Sequence, residues 1–311
     1  MGKLAHKTSV GGQALYEGVM MRGPVGYAIA LRLPNGQIET TVHPNQSLKD
    51  RISLFRLPVL RGMAGFVESL SMGFKTLTYS FEKAGLEEET PTKFERWLTD
   101  KFGKSIVDLV VWVGGLLGVL LAICLFMLLP AAAVKLLGGH VPTWSRPMLE
   151  GLIKIVIFIF YLWAVSGLAD IRRTFEYHGA EHKSIHAYEA GLPLTVENVR
   201  AMSRFHPRCG TNFMFIIMII SILIFSLPIV TWDNLLLRMA TKLLLLPVVV
   251  GISYEFIRLA GRYDNGFTRF FSAPGLLMQR LTTKEPDDAQ IEVAIASLEP
   301  VLTGNPEDDR W

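Results

Sequence analysis

The sequence predicts an α-helical integral membrane protein with about four transmembrane helices, a mixed α/β N-terminal cytoplasmic module and interfacial helices. Three observations point there. Half of the 311 residues are hydrophobic and only 19% are charged, against about 25% charged in a soluble domain. Apolar runs of about the length that crosses a hydrocarbon core, about 20 residues, recur from residue 106 onward. Ahead of them, turn residues flanked by alternating side chains mark a β-hairpin.

The chain divides into a cytoplasmic module (1–104), a four-helix membrane bundle with a His-rich loop at 170–212 (105–262), and an amphipathic tail (263–311). Residues 1–10 lack an apolar core, so no cleavable signal peptide is expected. The glycine-rich stretch from Gly11 to Pro24 reads as a loop with a short strand. Residues 28–33 and 37–42 flank Pro34-Asn35-Gly36, which predicts a hairpin. Residues 61–79 carry apolar side chains at helical spacing, as in a helix lying on a bilayer or packed under a bundle. A charged linker, 82–104, follows.

Spans are expected at 106–129, 149–168, 213–230 and 243–257, the last lengthened backwards through Leu235. Between the second and third, Thr195 caps a short helix. Beyond Pro274 lies a second interfacial segment, then an acidic-capped amphipathic helix at 285–298. Residues 1–105 hold 14 Lys and Arg, the 170–212 loop six and the tail from Arg258 another six. Cytoplasmic segments retain positive charge, so both termini and the His-rich loop belong inside, at a cytoplasmic (inner) membrane.

A net charge of +3 with no aromatic-interleaved basic stretch gives no reason to expect nucleic acid. The two cysteines, Cys124 and Cys209, do not make a disulfide framework. The expected partners are the lipid bilayer and further copies of the chain in a homo-oligomer.

The chemistry concentrates in one place. Four of seven histidines, one of two cysteines and two well-placed glutamates, Glu181 and Glu189, fall within the 32 residues from His178 to Cys209. On a helix, His178, His182 and His186 lie four apart on one stripe. His178-Gly-Ala-Glu181-His182 fits the H-x-x-E-H pattern, in which two histidines hold a metal and the glutamate acts as base on water. His178 and His182 are therefore candidate ligands of a divalent metal, with zinc the candidate ion, and Glu181 is the candidate catalytic base. Further ligands would come from Glu255, Glu189, His206, Cys209 and His186. The bland alternative has these histidines bonded to backbone carbonyls or lipid headgroups. Gly11, Gly12, Glu17 and Arg22 would cover the site, or form plain turns.

The motifs from Gly11 to Pro24, Tyr177-His-Gly-Ala-Glu-His-Lys183, Ser203-Arg-Phe-His-Pro-Arg-Cys-Gly-Thr211 and Ser253-Tyr-Glu255 resemble those of the YqhQ family. So does Ala273-Pro-Gly275 with the stretch from Leu281 to Asp288. The resemblance runs through essentially the full chain. It implies a bacterial multi-pass membrane protein carrying a domain of unknown function, described as a predicted metal-dependent enzyme.

Together these features favour a membrane-embedded metal-dependent hydrolase with a His/Glu/Cys site facing the cytoplasm at the bilayer interface. One alternative is a divalent-cation or proton transporter using the cluster as a relay. The other is a non-enzymatic assembly or scaffold factor for membrane proteins.

Overall fold

The computed structural model describes residues 6–44, 52–84, 104–137, 141–142, 145–227, 234–262, 266–305 and 307–309. Most of the expected charged linker, residues 85–103, lies outside them.

Four strands open the chain: β1 (Gly11–Leu15), β2 (Gly18–Arg22), β3 (Tyr27–Arg32) and β4 (Ile38–His43). They pair in sequence order as an antiparallel meander. The expected hairpin is β3–β4, which pairs Tyr27 with His43 and Arg32 with Ile38. The glycine-rich stretch is more regular than expected, because it forms a second hairpin, β1–β2, pairing Leu15 with Gly18. Its Tyr16-Glu17 turn places Glu17 at φ 52°, a left-handed conformation costly for a side chain with Cβ. Glu17 is tied there by a two-point ion pair to Arg173 and by the Tyr177 hydroxyl, which donates to it over 3.1 Å.

Both faces of the sheet are covered, which the period of two makes visible. Val19, Met21, Ala28 and Ala30 point to one side and join Tyr177, Ile185, Ile291 and Leu298 in the largest core. Leu15, Met20, Ile29 and Leu31 point to the other and pack against Met72, Leu77 and Tyr79. These last belong to α1 (Leu60–Lys83), whose opposite side exposes Val67, Leu70 and Phe74. An exposed apolar stripe of this kind suits the interfacial placement expected for residues 61–79.

The apolar helices follow. α2 (Lys104–Ile123) runs through a π turn at Cys124–Leu128 into α3 (Leu129–Leu136). The widening sits just ahead of Pro130, which has no N–H for the ladder and whose ring crowds the carbonyl four residues back. α4 is Arg146–Val165, and α8 is Leu235–Arg262. Among the described residues, three helices are long and apolar enough to cross a membrane: Val113–Leu136, Arg146–Val165 and Leu236–Leu259. The third expected span, 213–230, departs from expectation, its last three residues lying outside the described ones. Helix α7 covers only Gly210–Phe225, about 24 Å at 1.5 Å per residue, short of a core of about 30 Å. It packs between α4 and α8 and against α9 (Gly266–Thr282).

The His-rich connection between spans is largely helical, as the four-residue spacing of its histidines anticipates. α5 (Ala169–Glu189) is separated from α4 by a break at Ser166-Gly-Leu168, and α6 (Val196–Arg200) is capped by Thr195, whose side chain accepts from the Asn198 N–H. α10 (Asp288–Leu298) begins with a reciprocal capping box between Asp287 and Gln290. It does not trail from the protein as an amphipathic tail, for Ile291, Val293, Ala294 and Leu298 are all buried against α5, β2 and β3. The largest core thus draws on the N-terminal module, the His-rich segment and the C-terminal residues together.

Candidate metal centre

Helix α5 is buried almost continuously from Tyr177 to Glu189 although its residues are mainly polar, so each polar group needs a partner. Lys183 Nζ donates to the Arg200 carbonyl over 2.9 Å and pairs with Glu285 at 2.7 Å. The histidines are satisfied in a more telling way. His178 Nδ1 lies 2.8 Å from the Thr282 carbonyl and His182 Nδ1 lies 2.6 Å from that of Arg204. A carbonyl only accepts, so both Nδ1 atoms carry a proton, and Nε2 is the nitrogen each ring offers to a metal once that nitrogen is deprotonated. Metal-binding imidazoles are oriented by this kind of bond.

Gly179 makes the first of these contacts available. A Cβ there would lie 2.0 Å from the Lys284 carbonyl oxygen, so only glycine lets the 282–286 segment approach α5 closely. Lys284 N–H in turn donates to the Phe175 carbonyl over 2.8 Å.

Cys209 closes the group from the N-terminus of α7. Its sulfur lies 3.3 Å from His178 Nε2 and accepts from the Thr211 N–H over 3.4 Å. One ligand atom each from His178, His182 and Cys209 falls within 4.8 Å of the others. Ligands of a tetrahedral zinc stand about 3.5 Å apart when Zn–N is about 2.0 Å and Zn–S about 2.3 Å. Two imidazoles and a thiolate are ligand types that zinc takes, and three protein ligands leave a fourth tetrahedral position for water, the general arrangement of catalytic zinc. The residues fit the metal.

The charges agree with the geometry. Burial opposes ionisation of Cys209, but the His178 and His182 imidazoles and the His178 hydrogen bond outweigh it and hold the thiol well below its usual pKa. Burial likewise opposes a charge on His178, and the facing Cys209 thiolate, helped by Glu181, raises it to about 9. A thiolate at a helix N-terminus gains further from the exposed N–H groups there. The Cys209 thiolate and the His178 imidazolium thus stabilise each other across 3.3 Å.

Glu181 stands next to this group, 5% exposed. Burial raises its pKa, with His178 and a backbone hydrogen bond from Gly12 acting the other way. Its Oε2 is buried with no hydrogen-bond partner among the described residues. Gly12 on β1 is packed so closely that a Cβ would meet the Met20 carbonyl at 2.6 Å and Glu181 Oε1 at 3.0 Å. On its other side Gly12 lines a polar cleft of about 550 Å³ shared with Gly11, Gln13, Arg22, Ser69 and Asp308. Of the four expected to cover the site, Gly12 touches Glu181, Gly11 and Arg22 line the cleft, which none of His178, Glu181, His182 and Cys209 lines, and Glu17 ties the β1–β2 turn to α5.

The remaining expected ligands divide in two. His186, Glu189 and His206 form a second group within 4.8 Å. The His182 and His206 rings lie 5.6 Å apart and those of His186 and His206 4.7 Å, so the four imidazoles form a continuous row. Here the carboxylate is already occupied. Glu189 is paired with Arg208, accepts from the Thr8 N–H over 2.9 Å and faces His206 Nε2 at 3.5 Å. Burial would raise its pKa, yet His206 and Arg208 hold it below the ordinary value, while burial pushes His206 down to about 4.

Glu255 does not join either group. It is held by Arg61, whose Nε donates over 2.6 Å, and by the Val59 N–H at 3.3 Å. Close packing of α8 on the start of α1 brings the arginine within reach, and an ion pair takes the carboxylate that the sequence offered to the metal.

A family profile described as "Protein of unknown function (DUF1385)" matches residues 57–304. The chain belongs to the DUF1385 family. It is similar to the "Uncharacterized protein YqhQ" of Bacillus subtilis (strain 168), with 36% identity over 312 residues that cover 97% of this chain and 95% of that protein. No solved structure matches it. The family expected from the motifs is thus the family found, and the chemistry rests on the site itself. Two positions could not be singled out from sequence: Thr282 and Arg204 act only through backbone carbonyls, which carry no signal of residue type.

Proposed function

We propose that this protein is a membrane-bound, metal-dependent hydrolase whose centre is built from His178, His182 and Cys209, with Glu181 as general base. One observation carries the reading. A partly buried and a buried imidazole with their Nδ1 atoms spent on carbonyls, and one thiolate, converge beside a buried carboxylate that has an oxygen unpartnered among the described residues.

A divalent metal, zinc by donor type, would supply the Lewis acidity that lets water attack near neutral pH. The chain supplies the rest. Glu181 Oε2 takes a proton from the attacking water and returns it to the leaving group, and burial keeps its basicity above that of an exposed carboxylate. The Gly12 N–H bonds that carboxylate, and Gly12 also lines the polar cleft, the nearest described approach to a buried centre whose own residues do not line it. The polar cleft is bordered by Ser69 and Met72 of α1, whose far side is the exposed apolar stripe. That juxtaposition suits a substrate drawn from the membrane surface, a lipid or a membrane peptide. The distribution of Lys and Arg supports a cytoplasmic orientation.

The test is metal content by elemental analysis of the purified protein, followed by hydrolysis of chromogenic ester, phosphoester and peptide probes. Stoichiometric metal that is lost in His182→Ala and kept in Glu181→Gln, with hydrolysis abolished in both, supports the reading. Metal-free protein, or metal content unaffected by His182→Ala, removes it.

A further inference from the structure

The polar cleft beside β1 holds a glycine that neither packing nor backbone explains. Gly11, Gly12 and Gly23 all line it. A Cβ on Gly12 would meet the Met20 carbonyl oxygen at 2.6 Å, and one on Gly23 would meet that of Val301 at 2.6 Å. A Cβ on Gly11 would meet nothing within 4 Å, and the φ of Gly11 is not positive. Glycine weakens a strand, and where no protein neighbour demands it the open space suits close approach of a ligand. The register sets Arg22 directly opposite Gly11, so both lie on the face turned toward α1. There Arg22 meets Glu68 at 3.8 Å, too far for a hydrogen bond, which leaves guanidinium donors for a ligand. Around the same space stand the Ser9 and Ser69 hydroxyls, the Gln13 amide and the Asp308 carboxylate.

We propose that this cleft binds the phosphodiester headgroup of a glycerophospholipid, with Arg22 holding the phosphate in the space that Gly11 leaves open. A guanidinium presents a planar fork of donors matched to phosphate oxygens, and the two hydroxyls and the Gln13 amide can donate to the rest. A single cation flanked by the Glu68 and Asp308 carboxylates suits the one negative charge of a diester better than the nearly two of a monoester. Asp308, whose Oδ1 accepts from Asn305 Nδ2 over 3.2 Å, can also accept from headgroup hydroxyls. A lipid is the source that fits, because Ser69 and Met72 carry the cleft wall onto α1, whose opposite side exposes Val67, Leu70 and Phe74. A helix of that kind rests on a bilayer surface. As a statement about binding, the inference is independent of the metal centre. As a statement about substrate class it rests on the hydrolase reading, to which Gly12 links it through the bond to Glu181.

The experiment titrates full-length Glu181→Gln protein in detergent with short-chain phosphatidylglycerol, by calorimetry, and with the diacylglycerol of the same chain length. Phosphatidylglycerol is expected to bind and diacylglycerol to bind far more weakly. Adding Arg22→Gln should weaken phosphatidylglycerol binding about 10- to 100-fold, the loss of a charge-assisted hydrogen bond. Adding Gly11→Val should abolish it with no fall in the melting temperature, since the new side chain enters open space; Gly11→Ala, with a smaller loss, serves if valine disturbs the strand. Equal binding of diacylglycerol, or binding indifferent to both Arg22→Gln and Gly11→Val, would overturn the proposal. So would glycerophosphoglycerol, the same headgroup without acyl chains, binding as tightly as the lipid, since the cleft would then take a free phosphodiester. An uncharged extended peptide binding in place of the lipid would overturn it too. Wild-type turnover reports separately. Lipid bound by Glu181→Gln with no hydrolysis by the wild type removes the hydrolase reading and upholds the cleft, whereas hydrolysis of another probe without lipid binding removes only the cleft.

Discussion

Two groups of three potential metal ligands stand side by side on one helix, and they are satisfied in opposite ways. In the His178/His182/Cys209 group every imidazole has one nitrogen bonded to a carbonyl and the other turned toward the thiolate or left available. In the His186/Glu189/His206 group the carboxylate is consumed by Arg208, Thr8 and His206. Equal ligand spacing thus hides unequal chemistry. A metal entering the first group would replace a positive charge that an imidazolium now provides, whereas in the second it would have to displace a buried guanidinium. The second group is better understood as the structural neighbour that fixes the N-terminal segment and the 204–208 turn around the first.

Substitutions can break this comparison. The largest effect is expected from removing a ligand: His182→Ala or Cys209→Ala should lose the bound metal, while His186→Ala keeps it, as read by elemental analysis. Equal losses from both groups would erase the distinction. Next comes Glu181→Gln, which should lower hydrolysis about 10²–10⁴-fold, the usual contribution of a positioned base, with metal retained. Loss of metal in that variant would make Glu181 a ligand instead.

The second group answers to stability. Glu189→Gln is expected to destabilise the fold by about 3–5 kcal/mol, as for a broken buried ion pair, with metal content unchanged, measured by denaturant unfolding. Glu189 has a folded pKa below its ordinary 4.5. Its stabilisation is therefore complete above pH 4.5 and is lost as pH falls through the folded value. The Gln variant should not show that loss. Gly12→Ala probes the boundary between cleft and base. Its Cβ clashes with the Met20 carbonyl and presses on Glu181, so a loss of about 1–3 kcal/mol should accompany a fall in turnover. The smallest effect belongs to Glu255→Gln. Its ion pair with Arg61 is partly exposed, 26% and 23%, so less than about 1 kcal/mol is expected, with metal and turnover unaltered.

Much of the site was legible before folding. His178, Glu181 and His182 announce themselves by helical spacing, and Cys209 by being one of only two cysteines, beside a fourth histidine. The β3–β4 hairpin follows from Pro34-Asn-Gly36, and the α6 cap from Thr195. Less legible was what each acid would choose. Glu255 and Glu189 both looked like ligands, because the arginines that claim them, Arg61 and Arg208, are specified by packing and not by spacing. The second hairpin escaped notice because glycine in a strand lowers the local propensity, and here Gly12 is needed for close approach.

By itself the sequence determined which segments are apolar enough to leave water and which residue types could hold a metal, because hydropathy and ligand chemistry belong to single residues. Only the tertiary structure decided that α7 is too short for the span expected of it and that α10 is core. It also decided that His178 and His182 present Nε2 to Cys209. Those outcomes depend on which backbone carbonyl, arginine or strand arrives beside a given side chain, and that is a property of long-range packing.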